Sequence, residues 1–430
     1  MAKSNRRHFL GTAAAAGTLA VAPAVHGWAS AEDKVLKLAV IGMGGYGMVN
    51  VRAALKVGGV QIRAICDVDS AHLDSSADQI QKMQEMRPAT FKRYDEMLDQ
   101  TELDAAIIAT PPQWHALQTI ACVQHGLDVY CEKPLAYDIR EGRAMARAVA
   151  ESGRTVQIGF QRRQSQSFQQ VARCIREGRI GKVVQVDAQI HYRAGTPDPT
   201  PQDPPPTLDW DLWCGPGPKI PYSPAVGHRS WRLEKTSGHG HLVDWGVHNI
   251  DAVRMILGLS TPKQITAAGG LYHYAGKITT PDTLTVHFEF DQLPVVWRHR
   301  LWGATEYDPD LNNGIFVYGD EGTIFASDRR WVLIPRQASD KREEHEAPAE
   351  IGVLQMADWL SAIRTGSPLA CPIEEGFRST ATVQLGMIAY ESNSVVRWDE
   401  AAEQIVENPT AAALLRREYR PPYIHPYPLT

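Results

Sequence analysis

Three groups of residues have types and spacings suited to hydride and proton transfer. In the first, Gly42-Met43-Gly44-Gly45-Tyr46-Gly47 follows the apolar run at 36–41 and opens a helical pattern. Glycines at the first, third and sixth places of such a turn permit a tight bend, close backbone approach to a pyrophosphate, and close helix–strand packing. The helix N-terminus then offers unpaired N–H groups to phosphate. Asp67 ends the next strand, 20 residues beyond Gly47, where a carboxylate takes the ribose hydroxyls and repels a 2′-phosphate. The pattern favours NAD over NADP, with Gly42, Gly44, Gly45, Tyr46, Gly47 and Asp67 as contacts.

The second group lies on two strand ends, "ATPPQWH" and "CEKPLAYD". Ligands in open parallel sheets bind at the carboxyl edge of the strands. Thr110, Pro111, His115, Glu132 and Lys133 are therefore further expected cofactor contacts, Lys133 being a cation at the mouth of the crevice. The third group is "SGHGHLVDWGVHNIDAVRMILG". Asp244 and His248 stand four apart on a helix and share one face, so the carboxylate is expected to orient the imidazole as a general base. His239 and His241 invite a metal reading with that pair, but imidazoles near glycines serve equally as polar loop residues, and no metal is expected.

The elements that position these groups are legible as periodicity. From Lys34 to Arg162 short unbroken apolar runs alternate with helical patterns, including one near 79–86. Such alternation means a parallel sheet covered on both faces, a doubly wound α/β domain. Beyond it, "DTLTVHFEF", "PVVWRHRLW", "GIFVYGDEGTIFAS" and "RWVLIP" alternate apolar and polar residues between glycine turns, the mark of a largely antiparallel, open sheet in a second, α+β domain. Between the two lies a segment holding ten of the 28 prolines, from Pro197 to Pro224, together with Trp210 and Trp213. Those anchors imply an ordered loop packed on the body. The expected division is a signal at 1–31, a nucleotide domain at 32–162, a substrate and oligomerisation domain at 163–403, and a tail at 404–430.

The chain has 430 residues, 43% of them hydrophobic and 22% charged, with a formal charge of −5. That composition is ordinary for a globular protein, and the acidic balance disfavours nucleic acid or an anionic membrane surface as a partner. The six cysteines are scattered singly with no ligand-like spacing, so buried structural thiols are the expectation. The first thirty residues combine Arg6-Arg7, an Ala-rich stretch from Gly11 to Val25, and Ala29-Ser30-Ala31. This is the layout of a cleaved signal, and "NRRHFLG" resembles the twin-arginine export motif, with Asn5 and Gly11 as mild departures. No other window is apolar enough to span a bilayer, so no membrane insertion is expected once the signal is removed.

The "GMGGYG" turn with Asp67, the "EKP" at Glu132–Pro134 and the "HLVDWGVHNID" helix together resemble the Gfo/Idh/MocA family of sugar and cyclitol oxidoreductases, from Leu36 to about Glu403. The resemblance implies a catalytic set of Lys133, Asp244 and His248, with His248 as proton acceptor. It also implies a second domain that builds the sugar pocket and mediates homo-oligomers. Gln161, Arg162 and Arg163, Tyr192, Arg229, Trp231, Arg232 and His241 are expected around that pocket. A cofactor held outside the cytoplasm cannot exchange freely, so the exported protein is expected to hold its nucleotide tightly and regenerate it in place. An oxidoreductase acting on two sugars or carbonyls does so. The resemblance also admits a redox-neutral glycoside hydrolase, with His228, His239 or His241 as the extra base. A non-catalytic sugar- or nucleotide-binding protein is the third reading, which the intact Lys133–Asp244–His248 set opposes.

Overall fold

The computed structural model describes residues 34–428 except 229, 305–308, 338 and 349. The expected export signal lies outside the described residues. The first domain runs β1 (Leu36–Ile41), α1 (Gly45–Val57), β2 (Val60–Cys66), α2 (Ser70–Gln84), β3 (Ala89–Phe91), α3 (Tyr94–Gln100), β4 (Ala105–Ile108), α4 (His115–Gln124), β5 (Asp128–Glu132), α5 (Ile139–Ser152) and β6 (Val156–Gly159). Its six strands pair in the order β3-β2-β1-β4-β5-β6, all in parallel. The unbroken apolar sequence of β4, Ala-Ala-Ile-Ile, is buried throughout, as a strand covered on both faces requires. The strand order reverses between β1 and β4, and the crevice there is where such sheets bind ligands.

The helix expected near 79–86 begins at Ser70 instead. The Asp69 carboxylate accepts the Ala71 N–H at 2.9 Å and caps it, while Leu73, Ala77 and Ile80 form its buried stripe. The polar residues around these three hide the periodicity.

The second part comprises α6 (Gln166–Arg176), β7 (Val183–His191), α7 (Trp210–Cys214), α8 (Val247–Leu257), β8 (Gln264–Gly270), β9 (Thr283–Glu289), β10 (Pro294–Arg300), β11 (Asn313–Gly319), β12 (Gly322–Ala326), β13 (Arg330–Pro335), β14 (Glu343–Glu346), α9 (Ile351–Thr365), α10 (Ile373–Glu391), β15 (Val396–Asp399) and β16 (Gln404–Val406). Its ten strands form one sheet, β14-β13-β12-β11-β7-β10-β9-β8-β15-β16. Only β7 and β10 pair in parallel. In β9, Leu284, Val286 and Phe288 are fully buried, and His287 and Glu289 face solvent, the alternation of a sheet with one open face.

The two parts share their cores. Met356, Trp359 and Leu360 of α9 pack against Val40, Ile62 and Tyr130 of the first sheet. The proline-rich loop is fastened to the first domain: Ser70 N–H donates to Thr207 O at 3.0 Å, and Asp209 N–H to Val68 O at 3.0 Å. Trp210 and Trp213 stack within it, 4.6 Å apart. No helix of the described residues is long and apolar enough to cross a membrane, and the six cysteines are free and buried.

Candidate active site

The glycine turn after β1 is shaped by three distinct constraints. Gly42 has φ +92°, and a Cβ there would lie 2.7 Å from the Ala109 carbonyl carbon. A Cβ at Gly47 would lie 2.0 Å from Gly42 O. Gly44 and Gly45 meet nothing within 4 Å and line a cavity of about 820 Å³. Helix α1 starts there with no side-chain cap and no acid in its first turn. Its N–H groups therefore face the open space where a phosphate would sit. Asp67 lines the same cavity and accepts the Met43 N–H at 2.6 Å and the Asp69 N–H at 2.9 Å. Tyr46, Thr110 and Pro111 also line it. These features fit a dinucleotide: bare backbone for the pyrophosphate, an ionisable carboxylate for the ribose, and room for both.

Two expected cofactor contacts are placed elsewhere. His115 has no exposed surface; its Nε2 faces Thr110 O at 2.7 Å and its Nδ1 faces Pro134 O at 2.8 Å. It pins the two strand-end loops together rather than touching the cavity, and burial holds its pKa below the usual imidazole range. Glu132 is buried and accepts from Asn50 Nδ2 at 3.0 Å and Gln161 Nε2 at 3.1 Å. Burial pushes its carboxyl up to about 7.

Lys133, at the end of β5, reaches into the second part of the molecule. Its Nζ donates to Asp244 Oδ1 at 2.8 Å and to Asp244 O at 2.7 Å. Asp244 sits in a π-helical turn, Leu242–Gly246, that runs into α8. Its other oxygen lies 2.9 Å from Arg232 Nε. Burial raises the Asp244 carboxyl, and the Lys133 and Arg232 charges outweigh it, leaving the group below the usual carboxylate range. Arg232 and Trp231, with the guanidinium 4.5 Å from the ring centroid, line the cavity. One charge chain thus runs from the nucleotide cavity through Arg232 and Asp244 to Lys133.

His248, in the first turn of α8, is 9% exposed, and Phe160 meets it edge-on at 6.2 Å. Burial, then the Lys133 and Arg162 charges, hold its pKa well below the usual imidazole range. Its Nδ1 is buried without a hydrogen-bond partner. The expected Asp244–His248 pairing is therefore corrected. The carboxylate is committed to the two cations, and the imidazole is kept neutral by burial rather than tuned by an acid.

The expected substrate shell divides. Gln161 is buried and donates to Glu132 and to Tyr130 Oη. Arg162 is buried against Asn249 and Asn313, and Arg163 is paired with Asp251 at 2.7 Å. These three are buried and hydrogen-bonded within the protein, as buried guanidinium and amide groups must be, and the Arg162 charge acts on His248 from there. Tyr192 lies against His241, ring centroids 4.8 Å apart, and neither His241 nitrogen has a hydrogen-bond partner. Arg229 lies outside the described residues. His239 bonds Tyr137 O at 2.9 Å, and among the described residues His239, His241, Asp244 and His248 form no ligand set.

The sequence reading missed the aromatic end of the cavity, made by Tyr94, Trp114, Trp213, Tyr222 and Tyr423, and the imidazole of His72 on its wall; His228, expected as a candidate extra base, lines the wall beside it. The dense "REYRPPY" at 417–423 was the available signal for Tyr423.

Residues 36–160 match a family model described as an oxidoreductase family with an NAD-binding Rossmann fold, and residues 179–425 match the C-terminal alpha/beta domain of the same family. A glycosyl hydrolase family 109 protein of Shewanella pealeana is 32% identical over 161 residues, which is 32% of this chain and 35% of the relative. An inositol 2-dehydrogenase of Salmonella paratyphi B is 30% identical over 163 residues, 37% of this chain and 47% of the relative. Each alignment takes in less than half of the relative's length. An aldose–aldose oxidoreductase of Caulobacter crescentus, solved with glycerol, superposes with a TM-score of 0.67 at 18% identity, over 85% of this chain and 100% of that one. At that identity the likeness shows the fold.

Proposed function

The chain belongs to the Gfo/Idh/MocA oxidoreductase family, with its NAD-binding Rossmann fold, and we propose that it oxidises a secondary hydroxyl of a sugar or cyclitol with a nicotinamide cofactor kept on the protein between half-reactions. One observation carries this reading: His248, its Nδ1 buried without a hydrogen-bond partner, stands one helical turn beyond Asp244, whose carboxylate holds Lys133 at 2.8 Å. That is the pairing an alcohol oxidation needs, a base for the hydroxyl proton and a cation for the oxygen.

NAD, when bound, supplies the hydride acceptor. The Gly44–Gly45 backbone and the α1 N-terminus would hold its pyrophosphate, and Asp67 its ribose. His248 takes the hydroxyl proton, and being neutral it is ready to do so at physiological pH. Lys133 stabilises the negative charge that develops on the oxygen in a site largely shielded from water. Asp244 positions Lys133 through two hydrogen bonds and ties Arg232 to the same point. The names of relatives support the substrate class: inositol for one and aldoses for a structural neighbour. Residues 1–31 are proposed to export the folded protein with its nucleotide already bound, and the fastened loop over the cavity suits that retention.

A second reading is favoured by His241. Buried beside Tyr192 at the start of the turn that carries Asp244, it is a candidate second base for a redox-neutral glycosidase, in which a transient ketone promotes elimination. The glycosyl hydrolase name of one relative supports it. The two are separated by supplying free sugars, cyclitols and aryl glycosides without added NAD, each with and without a second carbonyl compound. The oxidoreductase gives sustained turnover only when the carbonyl compound is present. Aglycone release without an acceptor, with solvent deuterium entering beside the transient ketone, would establish the glycosidase instead. No turnover in any arm, and none after NAD is supplied, would leave a binding protein.

A further inference from the structure

The nucleotide cavity is roofed by the proline-rich loop, and the roof is held down by a segment far away in sequence. Trp114, at the end of the β4 loop, donates its indole N–H to Leu212 O at 3.1 Å. The roof lies flat on it: Gly215 has φ +55°, and a Cβ there would stand 2.4 Å from the indole. On the other side of Trp114, Tyr423 meets the ring edge-on at 5.3 Å and lines the cavity.

The segment that delivers Tyr423 has one foot in each part of the molecule. Arg417 is half-buried and anchored on the first domain: its N–H donates to Asp138 Oδ2 at 3.0 Å, its Nε to Glu141 Oε1 at 2.8 Å and its Nη2 to Gln113 O at 3.0 Å. Tyr419 adds a hydrogen bond to Glu141 at 2.8 Å, and His425 faces Asp138 at 3.1 Å. Arg420 points the other way, into the roof. Its guanidinium donates to Gly215 O at 2.9 Å, Gly217 O at 3.2 Å, Asp211 O at 3.1 Å and Asp211 Oδ1 at 2.8 Å, and its own N–H donates to Pro216 O at 2.9 Å. One forked cation thus gathers the carbonyls of Asp211, Gly215 and Gly217 at and just beyond the end of α7.

We infer that residues 416–428 latch the roof over the nucleotide, with Arg420 and Tyr423 as positioning residues that set how fast the cofactor leaves. The inference rests on the reading that the cofactor stays on the protein. The roof bounds the cavity through Trp213, Tyr222 and Gly227, so lifting it from Trp114 widens the way out for the nucleotide. Lifting breaks the Arg420 fan while Arg417 holds the segment to the first domain.

The test is the dissociation rate of NADH from full-length protein, followed by fluorescence on dilution into excess NAD. Arg420→Ala and Tyr423→Ala should release NADH at least about tenfold faster than wild type, and Tyr423→Phe, which keeps the ring against Trp114, within about twofold of it. A variant that melts early by circular dichroism is replaced by Arg420→Lys, which keeps the charge and loses the fork, and should give an intermediate rate. Unchanged rates in both alanine variants, or an equal loss in Tyr423→Phe and Tyr423→Ala, would overturn the latch. Nucleotide content of wild type on denaturation reports separately on retention. A full wild type with unchanged variants rejects the latch alone, and an empty wild type with accelerated variants rejects retention alone.

Discussion

At the scale of single residues, chemistry is assigned to Lys133 and His248. His248→Ala should lower kcat by about 10²–10⁴, the usual worth of a positioned base. Lys133→Met should lower it by about 10²–10³, the worth of one electrostatic donor to a developing oxyanion. Both are read in steady-state assays beside melting curves that show folded protein. The pH profile carries a sign. A depressed imidazole pKa means that His248 sheds its proton at lower pH than a free histidine. The acid limb of kcat/KM should therefore lie below 6.5, with the base fully available at neutrality. A limb near 7 would belong to Glu132, whose carboxyl is raised to about 7, and would vanish in Glu132→Gln; one that persists there contradicts the assignment. The residue types and their strand-end or helix positions were legible from spacing alone. The pairing of Asp244 was not, because it depends on Lys133 and Arg232 converging from distant parts of the chain.

At the scale of elements, the glycine turn separates binding from folding. Gly47→Ala places a methyl group 2.0 Å from Gly42 O and should cost about 1–3 kcal/mol of stability, measured by chemical denaturation of nucleotide-free protein. Gly44→Ala points into open space, so it should leave that stability within about 0.5 kcal/mol and weaken NAD binding by calorimetry. Equal effects of the two on stability would refute the division of roles. This turn was readable because its constraints are local, one strand end against one helix start. The parallel and antiparallel sheets were readable for the same reason, each strand declaring its faces by its own periodicity. Helix α2 was clipped because its first turns are mostly polar. The protein partners of Gln161, Arg162 and Arg163 were not legible, because a buried, paired guanidinium has the same letter as one facing a sugar.

At the scale of the whole molecule, the roof and the segment at 416–428 were beyond the reach of pattern. Their contacts join residues about 100 to 300 positions apart, and only the folded chain shows that they close one cavity. The export proposal also belongs to this scale: Arg6→Lys with Arg7→Lys should hold the protein in the cytoplasm in fractionated cells, and continued export would rule out the twin-arginine route and with it export with the nucleotide already bound. The central claim is that the protein holds NAD and that His248 lets it oxidise a sugar or cyclitol. Its most direct test is the absorbance at 340 nm of purified protein mixed with candidate sugars and cyclitols, with no nucleotide added. The account predicts a single rise, near one NADH per nucleotide-loaded site with an accepted substrate, absent in His248→Ala. Nucleotide-free protein that shows no rise with any of these compounds, even after NAD is supplied, would contradict it.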